Sequence, residues 1–414
     1  MQIKSFILSK RITPEQLFML SVLIVNGGNY LYNLILGRLL GPTQFADAAV
    51  LVTFLLVLSF IAMTFQLATA KFSVLFESGL FKSFVLRVYK NALSVGILLG
   101  LAIIIFAPQL QKLFNTTTSQ MFVIFGCGVP FYFLMSVNRG IFQGKNELKS
   151  LSVTYQAEML SRLVITLLLI YVLSSVSFSA LIALGIAISF LFGLIPFSVK
   201  DISFKETTII DKTHLKSIRS FFILTAFYEL TQIVINNSDI LLVKHYFEPY
   251  EAGLYASLAL IGRIVYFIAW MFVMLLLPKV VQLKKENKSA SKVLFKYVLY
   301  IGVISFVIVL GCFLFPKTII TMLFGESYIS MASLLWKYGL ATSMFALSNI
   351  FAYYYLSLDK YIPVIISGVF GMLQMALVVF FHESLEQVVY MQIIAMVLLL
   401  LIQLTFYKLD YKNR

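Results

Sequence analysis

Apolar runs recur along the whole chain, near 15–36, 45–69, 89–107, 119–142, 153–173, 178–198, 219–243, 252–280, 293–315, 330–356, 361–381 and 386–407. Each is close to the roughly 20 residues that a helix needs to cross a bilayer. The breaks carry helix-stopping punctuation: Gly41-Pro42, Pro108, Lys145-Asn146-Glu147, Glu248-Pro249, Pro316 and Asp359-Lys360. Segments of about ten residues alternating apolar and polar, the mark of an outer-membrane barrel, do not occur. Backbone inside lipid must satisfy its own hydrogen bonds, so helix is the assignment left. The pattern predicts an all-α integral membrane protein with about twelve transmembrane helices.

Composition agrees. Hydrophobic residues make up 60% of the 414 and charged residues only 12%, where a soluble domain carries about a quarter charged. With a mean hydropathy of +0.94, the solvent for most of this chain is lipid, and no length is left for a soluble domain. Lys4, Lys10 and Arg11 precede the first run. That run is long, holds Asn26, Asn29 and Asn33, and lacks a small-x-small cleavage site, so it reads as a retained helix rather than a signal peptide.

The net charge of +14 gains meaning from its location. Arg38, Lys112, Lys244 and Lys317 fall in one set of loops, and Arg162, Arg263, Lys296 and Lys337 fall inside runs. The rest of the 32 Lys and Arg lie at the two ends of the chain, in the alternate loops, or at the run ends that border those loops. That asymmetry is a positive-inside signal. It places both termini in the cytoplasm, requires an even number of spans, and assigns the charge to anionic lipid headgroups rather than to nucleic acid. Cys127 and Cys312 lie in apolar runs and read as core hydrophobes. His214, His245 and His382 are scattered in loops, and no HExxH, P-loop or GxSxG motif occurs. The chain therefore reads as a non-enzyme, with no cofactor and no ATP site. Any active transport draws on ion or substrate gradients.

The longest polar stretch divides the chain into residues 1–200, a linker at 201–218, and residues 219–414. The halves show a weak internal repeat. The first helix ends Asn33-Leu34-Ile35-Leu36-Gly37-Arg38, with Pro42 and Ala46 following. The seventh ends Asp239-Ile240-Leu241-Leu242-Val243-Lys244, with Pro249 and Gly253 following. The expectation is two six-helix lobes of the same orientation, an arrangement in which transporters place the substrate path between repeats.

Polar groups inside spans cost about 2.5–3.5 kcal/mol each when charged and so require partners or water. Asn26, Asn29 and Asn33 form one stripe on the first helix; Glu229, Gln232, Asn236 and Asp239 form another on the seventh. Each reads either as the wall of a hydrated cavity or as interhelical hydrogen bonding that holds the bundle. Glu158 and Arg162, at i, i+4, read either as a self-neutralising pair or as an arginine for an anionic ligand tuned by a carboxylate. Arg263 sits near mid-depth of the eighth run, and guanidinium is suited to phosphate. Lys337 is a second cation candidate. Both could instead pair with Glu229 or Asp239. Tyr353-Tyr354-Tyr355 suits an interfacial belt better than sugar stacking.

The stretch Leu36-Gly37-Arg38-Leu39-Leu40-Gly41-Pro42-Thr43-Gln44-Phe45 resembles the signature after the first helix of the Wzx-type polysaccharide biosynthesis (O-antigen and oligosaccharide) flippases, MATE-like members of the MOP exporter superfamily. Asn138-Arg139-Gly140-Ile141-Phe142-Gln143-Gly144 resembles that family's end of the fourth helix. Asp47 departs from the family, which has an apolar or small residue there. The resemblance implies a V-shaped pair of lobes in the bacterial inner membrane, working by alternating access. The implied substrate is undecaprenyl-diphosphate-linked oligosaccharide, moved to the outer leaflet for surface polysaccharide synthesis, with membrane lipids and other polysaccharide assembly proteins as partners. The rivals are a cation-coupled multidrug exporter of the same superfamily and a lipid II-type flippase. Joined to the polar-face argument, this gives Arg263, Arg162, Lys337, Asn26, Asn29, Asn33, Gln232 and Asn236 as expected substrate-binding residues. Glu229, Asp239 and Glu158 are the candidates for coupling H⁺ or Na⁺.

Overall fold

The computed structural model describes residues 14–173, 175–197, 211–358 and 360–412. Lys4, Lys10 and Arg11, most of the 201–218 linker and Asp359 lie outside them. Among the described residues there is no strand, and the helices account for every apolar run. Helix α1 spans Pro14–Leu75 and carries the first two runs on its two arms. They meet at Gly41, whose φ of 71° and ψ of 172° lie in the left-handed region that side chains with a Cβ disfavour. Pro42 follows and lacks the N–H that would close the ladder. Helices α2 (Ser78–Ile105), α3 (Ala107–Leu113), α4 (Gln120–Gly144), α5 (Leu148–Val172) and α6 (Phe178–Gly193) come next.

Helix α7 spans Lys212–Tyr246 and so begins inside the stretch read as linker. Its first turn is closed by Asp211, whose carboxylate accepts the His214 backbone N–H at 2.9 Å and the Thr213 hydroxyl at 2.6 Å. Those two bonds hold the exposed Asp211 below the ordinary carboxylate range, at about 2. The eighth run is two helices, α8 (Pro249–Gly262) and α9 (Ile264–Lys285), with Arg263 between them. The backbone bonds continue through that residue, from Arg263 N to Ala259 O and from Phe267 N to Arg263 O, both 3.0 Å. Then follow α10 (Ser291–Leu314), α11 (Pro316–Leu323), a 3₁₀ segment at Glu326–Leu334, α12 (Leu335–Ser357), α13 (Ile362–Phe380) and α14 (Leu385–Lys412). Among the described residues, nine helices are long and apolar enough to cross a membrane, the first of them being the bent Leu17–Leu75. The protein is a multi-pass membrane protein.

The chain divides into two compact units. Unit 1 holds residues up to Tyr32 and Leu58–Glu229; unit 2 holds Asn33–Val57 and Leu230–Arg414. The boundary therefore cuts α1 twice and α7 once, rather than falling in the polar linker. Within unit 1, α4 packs against α2 and α6, and α5 against α6. Within unit 2, α12 packs against α9, α10 and α14, and α13 against α14. A further sign of an internal repeat emerges here. Short helices α3 and α11 each carry a proline in the first turn, Pro108 and Pro316, where its missing N–H costs nothing. They end at Leu113-Phe114-Asn115 and Leu323-Phe324-Gly325, with positive φ at Asn115 (44°) and Gly325 (100°).

Candidate functional site

Most of the residues matching the family-like motifs have structural work. In unit 2, Phe324 sits close on Gly37 and tilts against Phe45 with ring centroids 5.9 Å apart. Tyr328 donates its buried hydroxyl to Gly37 O at 2.7 Å. Arg38 donates to Met322 O at 3.2 Å, one of the carbonyls left open at the end of α11. A Cβ on Gly253 would stand 1.8 Å from Pro42 O, so only glycine lets α8 approach the α1 bend. The unusual Asp47 pairs with Lys244 at 3.0 Å, with both side chains at most 2% exposed. Lys244, read from sequence as a loop cation, is thus a buried residue in the last turn of α7. In unit 1, Asn138 donates to Leu194 O (3.3 Å) and Pro196 O (2.9 Å). Gln143 accepts from Gln66 at 3.0 Å.

Arg139 is different. By sequence it groups with the charges of the alternate loops and their borders, but it lies inside α4 and is buried. Its Nε donates to Thr154 Oγ1 at 3.1 Å and its Nη2 to Thr154 O at 2.9 Å. Its guanidinium carbon lies 4.0 Å from the Tyr155 ring centroid. Nη2 also meets Glu158 Oε2 at 2.7 Å, while Glu158 Oε1 takes Arg162 Nη2. One carboxylate thus serves two guanidinium groups, and the cluster keeps a net positive charge. Arg162 Nε is buried and, among the described residues, finds no acceptor. Nearby Tyr32 and Thr166 hydroxyls are 3.4 Å apart.

Unit 2 holds a second buried cluster, at a small cleft of about 20 Å³ lined by Asn236, Asp239, Arg263, Tyr338, Gln374 and Gln392 among others. Asp239 accepts from Arg263 Nη2 (3.3 Å), Tyr255 (3.0 Å), Tyr338 (2.8 Å) and Gln392 (3.3 Å). Arg263 Nη1 donates to Asn237 Oδ1 at 3.3 Å. Its Nε, like that of Arg162, is buried without an acceptor among the described residues. Here one arginine meets one aspartate, and the charges cancel.

The other expected residues disperse. The first polar stripe is divided, with Asn26 and Asn29 in unit 1 and Asn33 in unit 2; Asn26 is exposed and the other two are half-buried. The second stripe is divided as well. Glu229 ends unit 1, half-buried, while Gln232, Asn236 and Asp239 belong to unit 2. Gln232 accepts from Tyr266 at 3.4 Å, and Asn236 donates back to Gln232 O at 2.8 Å while lining the cleft. Lys337 does not pair with Glu229 or Asp239. It meets Glu386, and Tyr390 at 2.9 Å. Arg139 stands in the family-like motif at the end of the fourth helix but carries no site role in the sequence reading, and Gln374 and Gln392 of the cleft are not singled out there. Gln374 and Gln392 each interrupt an apolar run, and that interruption is the signal that could have found them. Among the described residues, no group of His, Cys, Asp and Glu is placed to hold a metal ion.

Comparison with known proteins agrees with this architecture. The family model described as polysaccharide biosynthesis protein matches residues 35–333. No curated protein matches the chain in sequence. Among solved structures, an inward-facing multidrug resistance MATE family transporter of the MOP superfamily superposes with a TM-score of 0.77 at 12% identity, covering 93% of this chain and 95% of that one. The lipid II flippase MurJ in an inward closed conformation gives 0.75 at 14% identity, covering 95% and 87%. A MATE in the bent conformation gives 0.60 at 14%, covering 97% of each chain. At these identities the likeness concerns the fold, while the family match covers most of the chain. The protein belongs to the polysaccharide biosynthesis protein family and has the all-helical fold of MOP-superfamily membrane transporters.

Proposed function

We propose that this protein flips undecaprenyl-diphosphate-linked oligosaccharide from the inner to the outer leaflet of the bacterial inner membrane. It would work by alternating access of two six-helix lobes, with about twelve spans and both termini cytoplasmic. The observation that carries the reading is the pairing of fixed cations with neutral amides and hydroxyls deep inside apolar helices. Isolated charges there are costly, and guanidinium groups with unmet donors suit a diphosphate. Asn236, Gln374, Gln392 and Tyr338 supply the donors and acceptors that sugar hydroxyls require. Arg162 and Arg263 are the phosphate candidates. Asn26, Asn29, Asn33 and Gln232 are further polar contacts for the glycan. Lys337, engaged by Glu386, is the weakest of the substrate candidates.

Glu229 is the coupling candidate whose carboxylate has no arginine partner among the described residues; Glu158 and Asp239 are both held by guanidinium groups. A coupling ion biases the cycle only through its differential affinity for the two states. A cationic-drug exporter would require accessible acids; the first run, 15–36, has none beyond Glu15, and Asp47 further along α1 is buried against Lys244.

The test is genetic. Deleting the gene is expected to trap a lipid-linked oligosaccharide on the cytoplasmic leaflet and to remove surface glycan. Normal glycan display, with no trapped intermediate, would overturn the reading.

A further inference from the structure

The cluster in unit 1 has more cation than carboxylate. Arg139 and Arg162 share Glu158, with one carboxylate oxygen going to each arginine. The side chains are 6%, 10% and 11% exposed, in the order Arg139, Arg162, Glu158. Glu158 is the only carboxylate that pairs with either arginine among the described residues. Arg162 Nε is left with no acceptor. A buried excess charge inside a spanning segment is unfavourable unless an anion or water answers it. Arg139 creates that excess. Thr154 fixes it through two bonds, and Tyr155 lies against its guanidinium. By holding Glu158 Oε2, Arg139 prevents the carboxylate from taking Arg162 in the two-pronged geometry that would satisfy and neutralise it.

We infer that the Arg139–Glu158–Arg162 cluster is a phosphoanion site, in which Arg162 contacts the ligand and Arg139 is a positioning residue that keeps Arg162 available. The ligand chemistry is a phosphate or diphosphate ester. Under the proposed function, on which this assignment of substrate rests, that ester is the diphosphate end of the lipid-linked glycan.

The experiment uses the full chain in phosphatidylcholine nanodiscs and titrates inorganic pyrophosphate, reading affinity from the shift of the thermal midpoint. Wild type is expected to be stabilised. Arg162→Gln is expected to weaken pyrophosphate binding about tenfold or more, the loss of one charged hydrogen-bonding partner. Arg139→Gln is expected to weaken it too, because Glu158 then closes on Arg162. The decisive variant is Arg139→Gln with Glu158→Gln, which removes both the positioning residue and its competitor and is expected to restore binding. A merely structural role for Arg139 predicts no such rescue. Arg162→Lys serves where Arg162→Gln fails to fold, since it keeps the charge but loses the fork.

The inference is overturned if pyrophosphate does not stabilise the wild type, if binding is indifferent to Arg162, or if the double variant fails to rescue. Nanodiscs containing phosphatidylglycerol separate the two sources of phosphate. Loss of pyrophosphate binding there would identify the site as one for bulk anionic lipid and overturn the substrate assignment; retained binding supports it. Failure here is distinguishable from failure of the proposed function. Triad-dependent binding without trapped intermediate in the deletion strain would sink only the function, and trapped intermediate with triad-independent binding would sink only this site.

Discussion

Two buried charged clusters, one in each unit, solve the same problem in opposite ways. In unit 2, Asp239 is surrounded by Arg263, Tyr255, Tyr338 and Gln392, so the carboxylate is over-supplied with donors and the net charge is zero. In unit 1, Glu158 is divided between Arg139 and Arg162, so the cations are under-supplied and the net charge is positive. A buried arginine is therefore not by itself evidence for an anion site. What matters is whether the nearby carboxylates balance it. A balanced pair can hold a bundle in register, whereas an unbalanced one remains poised for a ligand.

Substitutions can break this contrast. The largest loss of stability is expected from Glu158→Gln, which leaves two buried guanidinium groups facing each other. Breaking a buried ion pair costs about 3–5 kcal/mol, and here one change breaks two. Chemical denaturation would read it, and added pyrophosphate should recover part of the loss. Arg263→Ala comes next, because it strands Asp239 as an uncompensated carboxylate, again at about 3–5 kcal/mol, softened by the three neutral donors that remain. It is expected to abolish surface-glycan export while membrane insertion persists; normal glycan display would remove Arg263 from the transport path. Asp47→Asn belongs to the same class through Lys244. The double variant Asp47→Leu with Lys244→Met should be nearly neutral, since replacing a buried pair by apolar groups often is. Additive losses in the double-mutant cycle would show that the two residues are not coupled.

Arg139→Gln should destabilise less than Arg263→Ala, by about 1–3 kcal/mol for its hydrogen bonds, because it leaves the balanced pair Glu158–Arg162 behind. If Arg139→Gln proved the costlier change, the cluster in unit 1 would not carry excess positive charge. The smallest effect is expected at the exposed end of α7. Asp211 has its carboxyl lowered from 3.8 to about 2 by the Thr213 and His214 bonds. A lowered carboxylate stabilises the fold above its unfolded value and loses that contribution as pH falls from about 4 through 2. Asp211→Ala should therefore lower the thermal midpoint slightly at pH 7 and not at pH 2, and an equal shift at both would refute the cap.

The membrane class, the apolar runs and the break at Gly41-Pro42 are legible in the sequence. They depend on twenty-residue hydropathy and on local backbone chemistry. Arg162 with Glu158 was legible too, since i, i+4 spacing on a helix puts two side chains together. Arg139 was not, because it lies nineteen positions from Glu158, on another helix, and a count of loop charges absorbed it. In sequence Asp47 is only a departure from the family pattern; its partner, Lys244, lies far along the chain. The assignment of Lys337 to Glu386, and the division of α1 and α7 between units, were equally out of reach.

Hydrophobic patterning is enough to say what solvent surrounds this protein, what secondary structure spans it, and which polar groups sit where lipid would reject them. Which of those groups cancel and which are left in excess depends on how the helices pack. The period of a helix tells which face of it is polar, but the partner that meets a buried charge comes from a helix whose position the local sequence does not encode.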